Sequence, residues 1–182
     1  MSPPEPSHTV GPAPTPETPA YEPPKPDDGA ELWRMARDSQ TLDLNSPYMY
    51  LLGASHFAET SVIARVAGRP VGFVWGYRRP DAPDTLFVWQ VAVDPAYRGR
   101  RLAHGMLAAL VDRLEPRYLE ATVTPDNLAS AALFTGFAQQ AGAPLDTTQV
   151  LFDASHFPAG ATHQLGATHQ PEVLFRIGPL TS

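Results

Sequence analysis

The sequence of 182 residues contains no cysteine, which excludes disulfide bonds, thiolate zinc sites and a thiol nucleophile. No apolar run approaches the roughly 20 residues that a membrane-spanning helix requires, and the N-terminus lacks the features of a signal peptide. We therefore expect a cytoplasmic protein without a membrane partner. Basic residues are also scarce, since 13 lysines and arginines stand against 19 aspartates and glutamates. The net charge of −6 disfavours nucleic acid as the main partner.

Aliphatic residues are almost missing from residues 1–26, which hold ten of the 21 prolines. Such a segment buries too little apolar surface to offset the entropy lost on ordering. We therefore predict a disordered Pro-rich tail over residues 1–20 and one globular domain over residues 21–182. A Pro-rich ligand for another domain is the alternative interpretation of the tail. With 43% hydrophobic residues overall, the chain can form a sizeable core.

From Asp27 onward, periodic apolar residues predict helices, and clustered β-branched and aromatic residues predict strands. Asp27 or Asp28 is expected to cap the first helix, and Asp126 or Asn127 the last. Residues 141–172 are predicted as a polar loop, lengthened by a tandem duplication of GATHQ. The predicted helices span 27–39, 46–57, 100–114 and 126–140, and the predicted strands span 61–79 as a hairpin about Gly68, 85–93, 118–124 and 172–178.

The stretch DPAYRGRRLAHG, residues 94–105, joins the 85–93 strand to the 100–114 helix. A glycine-bearing turn before a helix presents unpaired N–H groups and the positive end of the helix dipole, which together bind phosphate. An ordinary strand-to-helix turn is the alternative. The stretch matches neither G-x-x-x-x-G-K-[ST] nor G-x-G-x-x-G, which disfavours nucleoside triphosphates and dinucleotides. A different pyrophosphate-bearing ligand is therefore expected.

The same stretch resembles the acyl-CoA signature [RQ]-x-x-G-x-[GA] of the Gcn5-related N-acetyltransferases. Arg101 stands at the central glycine of that signature, and we expect it to adopt helical φ. The resemblance implies an α/β (α+β) fold with a central mixed, mostly antiparallel sheet flanked by helices, and acetyl-CoA as co-substrate. It also implies that cofactor-binding residues come from the strand, the turn and the helix that begins at Asn127; these are Val91, Ala92, Val93, Arg98, Gly99, Arg100, Arg101, Leu102, Ala103, Asn127 and Phe134.

Four longer segments resemble a narrower family, the L-2,4-diaminobutyrate acetyltransferases of ectoine synthesis: DSQTLDLNSPYMYLL, PDTLFVWQVAVDP, RYLEATVTPDN and PEVLFRIGP. This resemblance implies transfer of an acetyl group from acetyl-CoA to the γ-amine of L-2,4-diaminobutyrate, by an enzyme that forms homodimers. Two alternatives stay open: an acetyltransferase for another small diamine or amino acid, such as ornithine or lysine, and a non-catalytic sensor that binds acyl-CoA.

A substrate with two ammonium groups and one carboxylate calls for carboxylates and aromatic rings in its pocket. Asp43, Trp89, His169 and Glu172 fit this description and are the candidate substrate residues, and the resemblance favours this role for Asp43. Without the resemblance, Asp43 is as readily interpreted as a helix-cap residue and Trp89 as a core residue. The His169–Glu172 pair is then as readily part of a solvated loop. We take His169 and Glu172 also as candidate catalytic residues, since a proton must leave the amine before it attacks.

The family often places a tyrosine seven residues after the asparagine as general acid for the leaving thiolate, but here that position holds Phe134. The acid is therefore another group, for which Tyr48 is the candidate, or water, or it is unnecessary because a CoA thiolate leaves readily. The six histidines lack the short spacing of a metal site, so no metal is predicted.

Overall fold

The computed structural model describes residues 18–158 and 170–180. Within these residues, eight strands form one sheet with the order β1-β2-β3-β4-β5-β8-β6, and β7 also pairs with β8. The β4–β5 pair is parallel and every other pair is antiparallel, as predicted. The strands are β1 (Ala20–Glu22), β2 (Val62–Val66), β3 (Arg69–Arg79), β4 (Ala82–Val93), β5 (Tyr118–Val123), β6 (Leu145–Asp146), β7 (Val150–Phe152) and β8 (Glu172–Ile177).

The described helices agree with the four predicted ones to within a few residues at each end. They are α1 (Gly29–Ser39), α2 (Pro47–His56), α3 (Leu102–Leu114) and α4 (Leu128–Ala141). Pro47 occupies the first turn of α2, where its missing N–H has no helical partner to lose. The β2–β3 hairpin turns at Ala67 and Gly68, which have φ of +52° and +74°, the positive values that a two-residue hairpin turn requires.

The helices pack in pairs on opposite faces of the sheet and form two apolar cores. Helices α1 and α2 cover one face, and α3 and α4 cover the other. The α1–α2 core contains Leu32, Met35, Ala36, Tyr50, Ile63, Phe73 and Trp75, and the α3–α4 core contains Leu86, Val88, Met106, Leu107, Leu110, Leu119, Phe134 and Ile177. Continuous apolarity in β4 follows from this arrangement, since a strand between two helical layers is buried on both faces.

Three short strands were not predicted. Strands β6 and β7 lie within the segment predicted as a loop, and β1 lies at the end of the Pro-rich segment, where Ala20 pairs with Arg65. Two or three residues are too few to show an alternating pattern, so only pairing in the folded sheet reveals them. The predicted tail falls mostly on residues 1–17, which lie outside the described residues.

Two boundary predictions need correction. Strand β4 begins at Ala82, earlier than the predicted residue 85, because a tight turn pairs Arg79 with Ala82. Asp28 does not cap α1 with its side chain. Its carboxylate instead accepts hydrogen bonds from the Lys25 N–H at 2.8 Å and from Arg65 at 2.7 Å. At α4 the capping prediction is confirmed, because Asn127 Oδ1 accepts a bond from the Ser130 N–H at 3.1 Å.

Candidate active site

A β-bulge in β4 sets the position of Trp89. Trp75 of β3 lies opposite Gln90, whereas the next residue, Gly76, lies opposite Val88. Trp89 is therefore an extra residue, and it shares the α1–α2 face of the sheet with Gln90. Its ring contacts that of Trp75 at a centroid distance of 4.7 Å, yet 44% of Trp89 is exposed. The interpretation of Trp89 as a core residue is wrong, and the bulge makes its ring accessible.

Strands β4 and β5 separate just before this bulge. Their parallel ladder contains three residue pairs and ends at Phe87 and Glu120, although β4 continues to Val93 and β5 to Val123. The segment that contains Val91, Ala92 and Val93 thus presents a strand edge to a gap. An extended ligand can pair with such an edge as an added strand does. Sequence reasoning placed these three residues in the cofactor site but could not show that the strands diverge.

The turn that follows β4 holds the predicted phosphate-binding residues. Arg98, Gly99, Arg100 and Arg101 are exposed, while Leu102 is buried in the α3–α4 core. The Gly105 N–H makes the first helical bond, to the Arg101 carbonyl at 3.0 Å. The N–H groups of residues 102–104 therefore lie free of helical partners at the start of α3, and Ala103 is one of them. This arrangement is suited to an anion.

The conformation predicted for Arg101 is wrong. Arg101 has φ of +58° and ψ of +20°, in the left-handed region that the glycine of the family signature would occupy without strain. For an L-residue this conformation costs about 1 to 2 kcal/mol. The guanidinium lies outside the turn, where its Nη2 donates to Gln140 Oε1 on α4 at 3.2 Å. The backbone therefore has the glycine-like geometry although the residue is an arginine.

Asp43 lies beside the bulge because a buried glutamine holds it there. Gln90 Nε2 donates to the Asp43 carbonyl at 2.8 Å, and the hydroxyl of fully buried Tyr50 donates to Gln90 Oε1 at 3.1 Å. Burial raises the pKa of Tyr50, so its hydroxyl stays a donor. The structure therefore brings Asp43 and Trp89 to one region. Sequence reasoning missed Gln90 and Tyr50; a glutamine inside an apolar strand was the available signal for a buried hydrogen bond.

Tyr48, the candidate acid, lies in the first turn of α2 and is 66% exposed. Phe134 lies on the opposite face of the sheet from Trp89, buried within α4, and its ring is 6.3 Å from that of Phe175. Asn127 begins the same helix, and its side-chain oxygen is engaged in the cap. The structure thus groups Phe134 and Asn127 on α4 and leaves Tyr48 on α2.

Glu172 begins β8, where it pairs with Phe152 of β7. Strand alternation places its side chain on the face of the sheet that also carries Leu174 and Arg176. Gln170 lies two residues before Glu172. Its Nε2 donates to Asp126 Oδ2 at 2.8 Å, which connects this segment to the start of α4. His169, the other candidate in this segment, lies outside the described residues, as does His163.

A buried carboxylate that sequence reasoning missed lies where β4 and β5 separate. Glu120 is fully buried and accepts hydrogen bonds from Arg79 at 2.8 Å and from Arg176. Hydrogen bonds to Asp81 and Glu120 raise the pKa of Arg79. The guanidinium of Arg176 also stacks on the Tyr118 ring at 3.9 Å. These ion pairs connect β3, β5 and β8 where the gap between β4 and β5 begins. A glutamate within the apolar strand YLEATV was the feature of the sequence that could have indicated a buried ion pair.

Residues 18–158 and 170–180 contain no group of three or more histidine, aspartate or glutamate side chains placed to hold a metal ion. No helix among them has both the length and the apolar character needed to cross a membrane.

Comparison with known proteins agrees with this geometry. The chain is 54% identical to the L-2,4-diaminobutyric acid acetyltransferase of Streptomyces coelicolor over 160 residues, which cover 85% of this chain and 89% of that protein. It is 40% identical to the enzyme of the same name from Virgibacillus pantothenticus, with 86% and 96% of the two chains covered.

A solved structure is similar throughout the fold. The diaminobutyrate acetyltransferase EctA from Paenibacillus lautus, in complex with L-2,4-diaminobutyric acid and coenzyme A, superimposes with a TM-score of 0.82 at 40% identity. The match covers 91% of this chain and 98% of that one. Residues 21–137 also match the acetyltransferase (GNAT) family. The predicted fold is therefore confirmed, and the chain belongs to the GNAT family of acetyltransferases.

Proposed function

We propose that the protein transfers an acetyl group from acetyl-CoA to the γ-amine of L-2,4-diaminobutyrate and so produces N4-acetyl-L-2,4-diaminobutyrate, the precursor of the osmolyte ectoine. The observation that carries this proposal is the 40% identity, over 91% of the chain, to an acetyltransferase that was solved with this amino acid and coenzyme A. The gap between β4 and β5, the anion-binding turn and the exposed Trp89 supply the parts that such a reaction needs.

In this proposal, the cofactor arm pairs with the free edge of β4 at Val91–Val93 and its pyrophosphate lies on the turn at Arg98–Ala103. Charge-assisted bonds from the exposed arginines strengthen the phosphate contacts. Asn127 and Phe134 lie toward the thiol end. Residues of β4 beside the bulge offer a main-chain N–H to the oxygen of the thioester as it gains negative charge.

The amine substrate is bound on the α1–α2 face of β4, which carries Trp89. Trp89 covers one wall with its ring, and Asp43 and Glu172 attract the ammonium groups. A primary amine with a pKa of about 10 is almost wholly protonated at neutral pH, so a base must remove a proton. We assign this to His169, with Glu172 as its partner. The neutral nitrogen then attacks the thioester carbon, the new N–C bond forms, the nitrogen releases its second proton to water, and the C–S bond breaks.

The leaving thiolate takes up a proton from Tyr48 or from water, or leaves without protonation. Phe134 cannot serve, since its ring has no hydroxyl. Tyr48 is 66% exposed, so its hydroxyl is accessible to solvent. A CoA thiolate is a tolerable leaving group near neutral pH, so this step does not require a dedicated acid.

We also propose that the protein is a homodimer in the cytoplasm. Apolar side chains on α4 and β7 support the dimer, because Leu128, Val150 and Phe152 are exposed in the single chain and such surface is usually covered in an assembly. Light scattering should give the mass of two chains at micromolar concentration. A single-chain mass at that concentration contradicts the dimer but leaves the proposed reaction unaffected.

A substrate panel tests the reaction. Thiol release from acetyl-CoA is measured with L-2,4-diaminobutyrate, ornithine and lysine, and NMR locates the acetylated nitrogen of the product. We expect the highest kcat/KM with diaminobutyrate and acetylation at the γ-nitrogen. A preference for ornithine or lysine favours the alternative acetyltransferase, although a single methylene is worth only about 1 to 3 kcal/mol. Tight acetyl-CoA binding without turnover favours the sensor.

A further inference from the structure

The turn between β4 and α3 is held mainly by polar contacts. Each residue from Pro95 to Arg101 is exposed or half-buried. Tyr97 is the residue of this turn that packs against the α3–α4 core, and a segment with so few buried contacts opens at low free-energy cost. The turn leads directly into the free N–H groups at the start of α3. The contacts that hold the turn in place therefore also hold these N–H groups in position for an anion.

Asp94 is the point where the turn is attached. Its N–H donates to the Val71 carbonyl at 2.9 Å, and its Oδ1 accepts the Ala96 N–H at 3.1 Å, which closes the first turn. Its Oδ2 accepts a bond from Arg34 Nη2 at 3.3 Å. Only 12% of the Asp94 side chain is exposed. A carboxylate this buried needs a charged partner, and Arg34 on α1 supplies it.

Arg34 is itself held in place. Its Nε donates to Glu31 at 2.9 Å and its Nη1 to Asp38 at 3.2 Å, so the guanidinium has a fixed orientation with Nη2 directed at Asp94. Helix α1 is anchored in the core through Leu32 and Met35, which are 4% and 3% exposed. The helix is thus a rigid support, and the exposed turn is the part that can move.

We propose that Arg34 is a positioning residue for acetyl-CoA binding. It holds Asp94, and through Asp94 the turn that presents the N–H groups at the start of α3. It also neutralises a carboxylate that would otherwise repel the phosphates across the turn. The inference rests on the proposed function in one respect, namely that acetyl-CoA is the ligand of the turn.

Arg34→Ala, Arg34→Lys and the matched control Arg37→Ala test this role. Arg37 lies one turn along α1, donates a side-chain hydrogen bond to Asp38, lies over the Trp33 ring, and has 48% of its side chain exposed. Calorimetry measures the Kd for acetyl-CoA, and initial rates separate KM from kcat. For Arg34→Ala we expect Kd and KM for acetyl-CoA to rise five- to twentyfold, with kcat at saturating acetyl-CoA within twofold of native.

Two further variants, Arg34→Lys and Arg37→Ala, distinguish the charge of Arg34 from a general effect of changing α1. Arg34→Lys keeps a charge within reach of Asp94 and should restore Kd to within threefold of native, and Arg37→Ala should leave Kd unchanged. Melting temperatures establish that each variant is folded, and Arg34→Gln replaces the alanine variant if that one does not fold. An unchanged Kd in a folded Arg34 variant, or a lowered kcat with unchanged Kd, overturns the inference. The calorimetric measurement needs no acceptor, so failure to acetylate diaminobutyrate leaves this result independent.

Discussion

The hydroxyl of Tyr50 donates to Gln90 Oε1 at 3.1 Å, beneath the strand that bears the exposed Trp89. Gln90 in turn holds the main chain of Asp43. A fully buried phenol and a buried amide therefore connect the loop before α2 to the bulge of β4. This connection fixes the position of the candidate acceptor residues Asp43 and Trp89 relative to the gap between β4 and β5.

Tyr50→Phe should destabilise the protein and weaken acceptor binding. The change leaves Gln90 Oε1 buried without its donor, which costs about 1 to 3 kcal/mol, and it loosens the loop that carries Asp43. We expect a lower melting temperature and a higher KM for diaminobutyrate, with KM for acetyl-CoA within twofold. Tyr48→Phe is the stability control, because that ring is largely exposed. Equal melting temperatures for the two variants would contradict the role of the Tyr50 hydroxyl.

Arg101→Gly should preserve acetyl-CoA binding and should not destabilise the protein. Glycine adopts a φ of +58° without strain, which gains about 1 kcal/mol, partly offset by its greater freedom in the unfolded chain. Arg101→Val is the matched contrast, since a β-branched residue is most strained there, and it should lower the melting temperature. If Arg101→Gly abolishes acetyl-CoA binding while the fold is intact, the guanidinium itself is an essential phosphate ligand.

Phe134→Tyr tests whether protonation of the thiolate limits turnover. The ring is buried against Phe175, so an added hydroxyl should cost about 1 to 3 kcal/mol of stability unless it finds a partner. We expect kcat to stay within threefold of native, because the leaving thiolate does not require a dedicated acid. Thermal unfolding and steady-state kinetics report the two effects separately. A large rise in kcat would show that proton transfer to the thiolate is limiting.

Substitutions of the proposed base His169 and of its partner Glu172 should affect different kinetic constants. Glu172→Gln should mainly raise KM for diaminobutyrate, because it removes a charge that attracts the ammonium. His169→Ala should lower kcat and change the acidic limb of its pH profile, since an imidazole with a reference pKa of about 6.5 stops accepting protons below that pH. His163→Ala is the control from the duplicated segment and should do neither. If His163→Ala is inactive while His169→Ala retains activity, His163 is the base.

His104 should make stability depend on pH. Burial, and then the charge of Arg101, lower the pKa of His104 from its reference value of 6.5. The unfolded state therefore binds a proton more readily, and the free energy of unfolding should fall as the pH drops below about 6.5. His104→Gln cannot titrate and should flatten this part of the stability curve. Denaturant melts at pH 5.5 and 7.5 measure the difference; an unchanged slope in the variant excludes His104 as its source.

The helices, the long strands and the turn after β4 could be predicted from sequence because their signals are local. The apolar spacing of Leu102 to Leu114 defines α3, and the glycines and arginines after β4 mark the turn. The acceptor residues stay candidates, since Asp43 and Trp89 carry no local pattern that distinguishes a site from a cap or a core position.

The sequence by itself determined which segments are helical or extended, that Asp126 or Asn127 caps α4, and that a glycine-bearing turn joins β4 to α3, because these follow from propensity and hydrogen bonding between near neighbours. Tertiary structure alone decided that Trp89 is an exposed bulge residue, that β4 and β5 part after Phe87, and that Arg101 adopts a left-handed backbone. Each of these depends on strand register or on packing between segments far apart in the chain, and pairing with a distant partner leaves no trace in the local sequence.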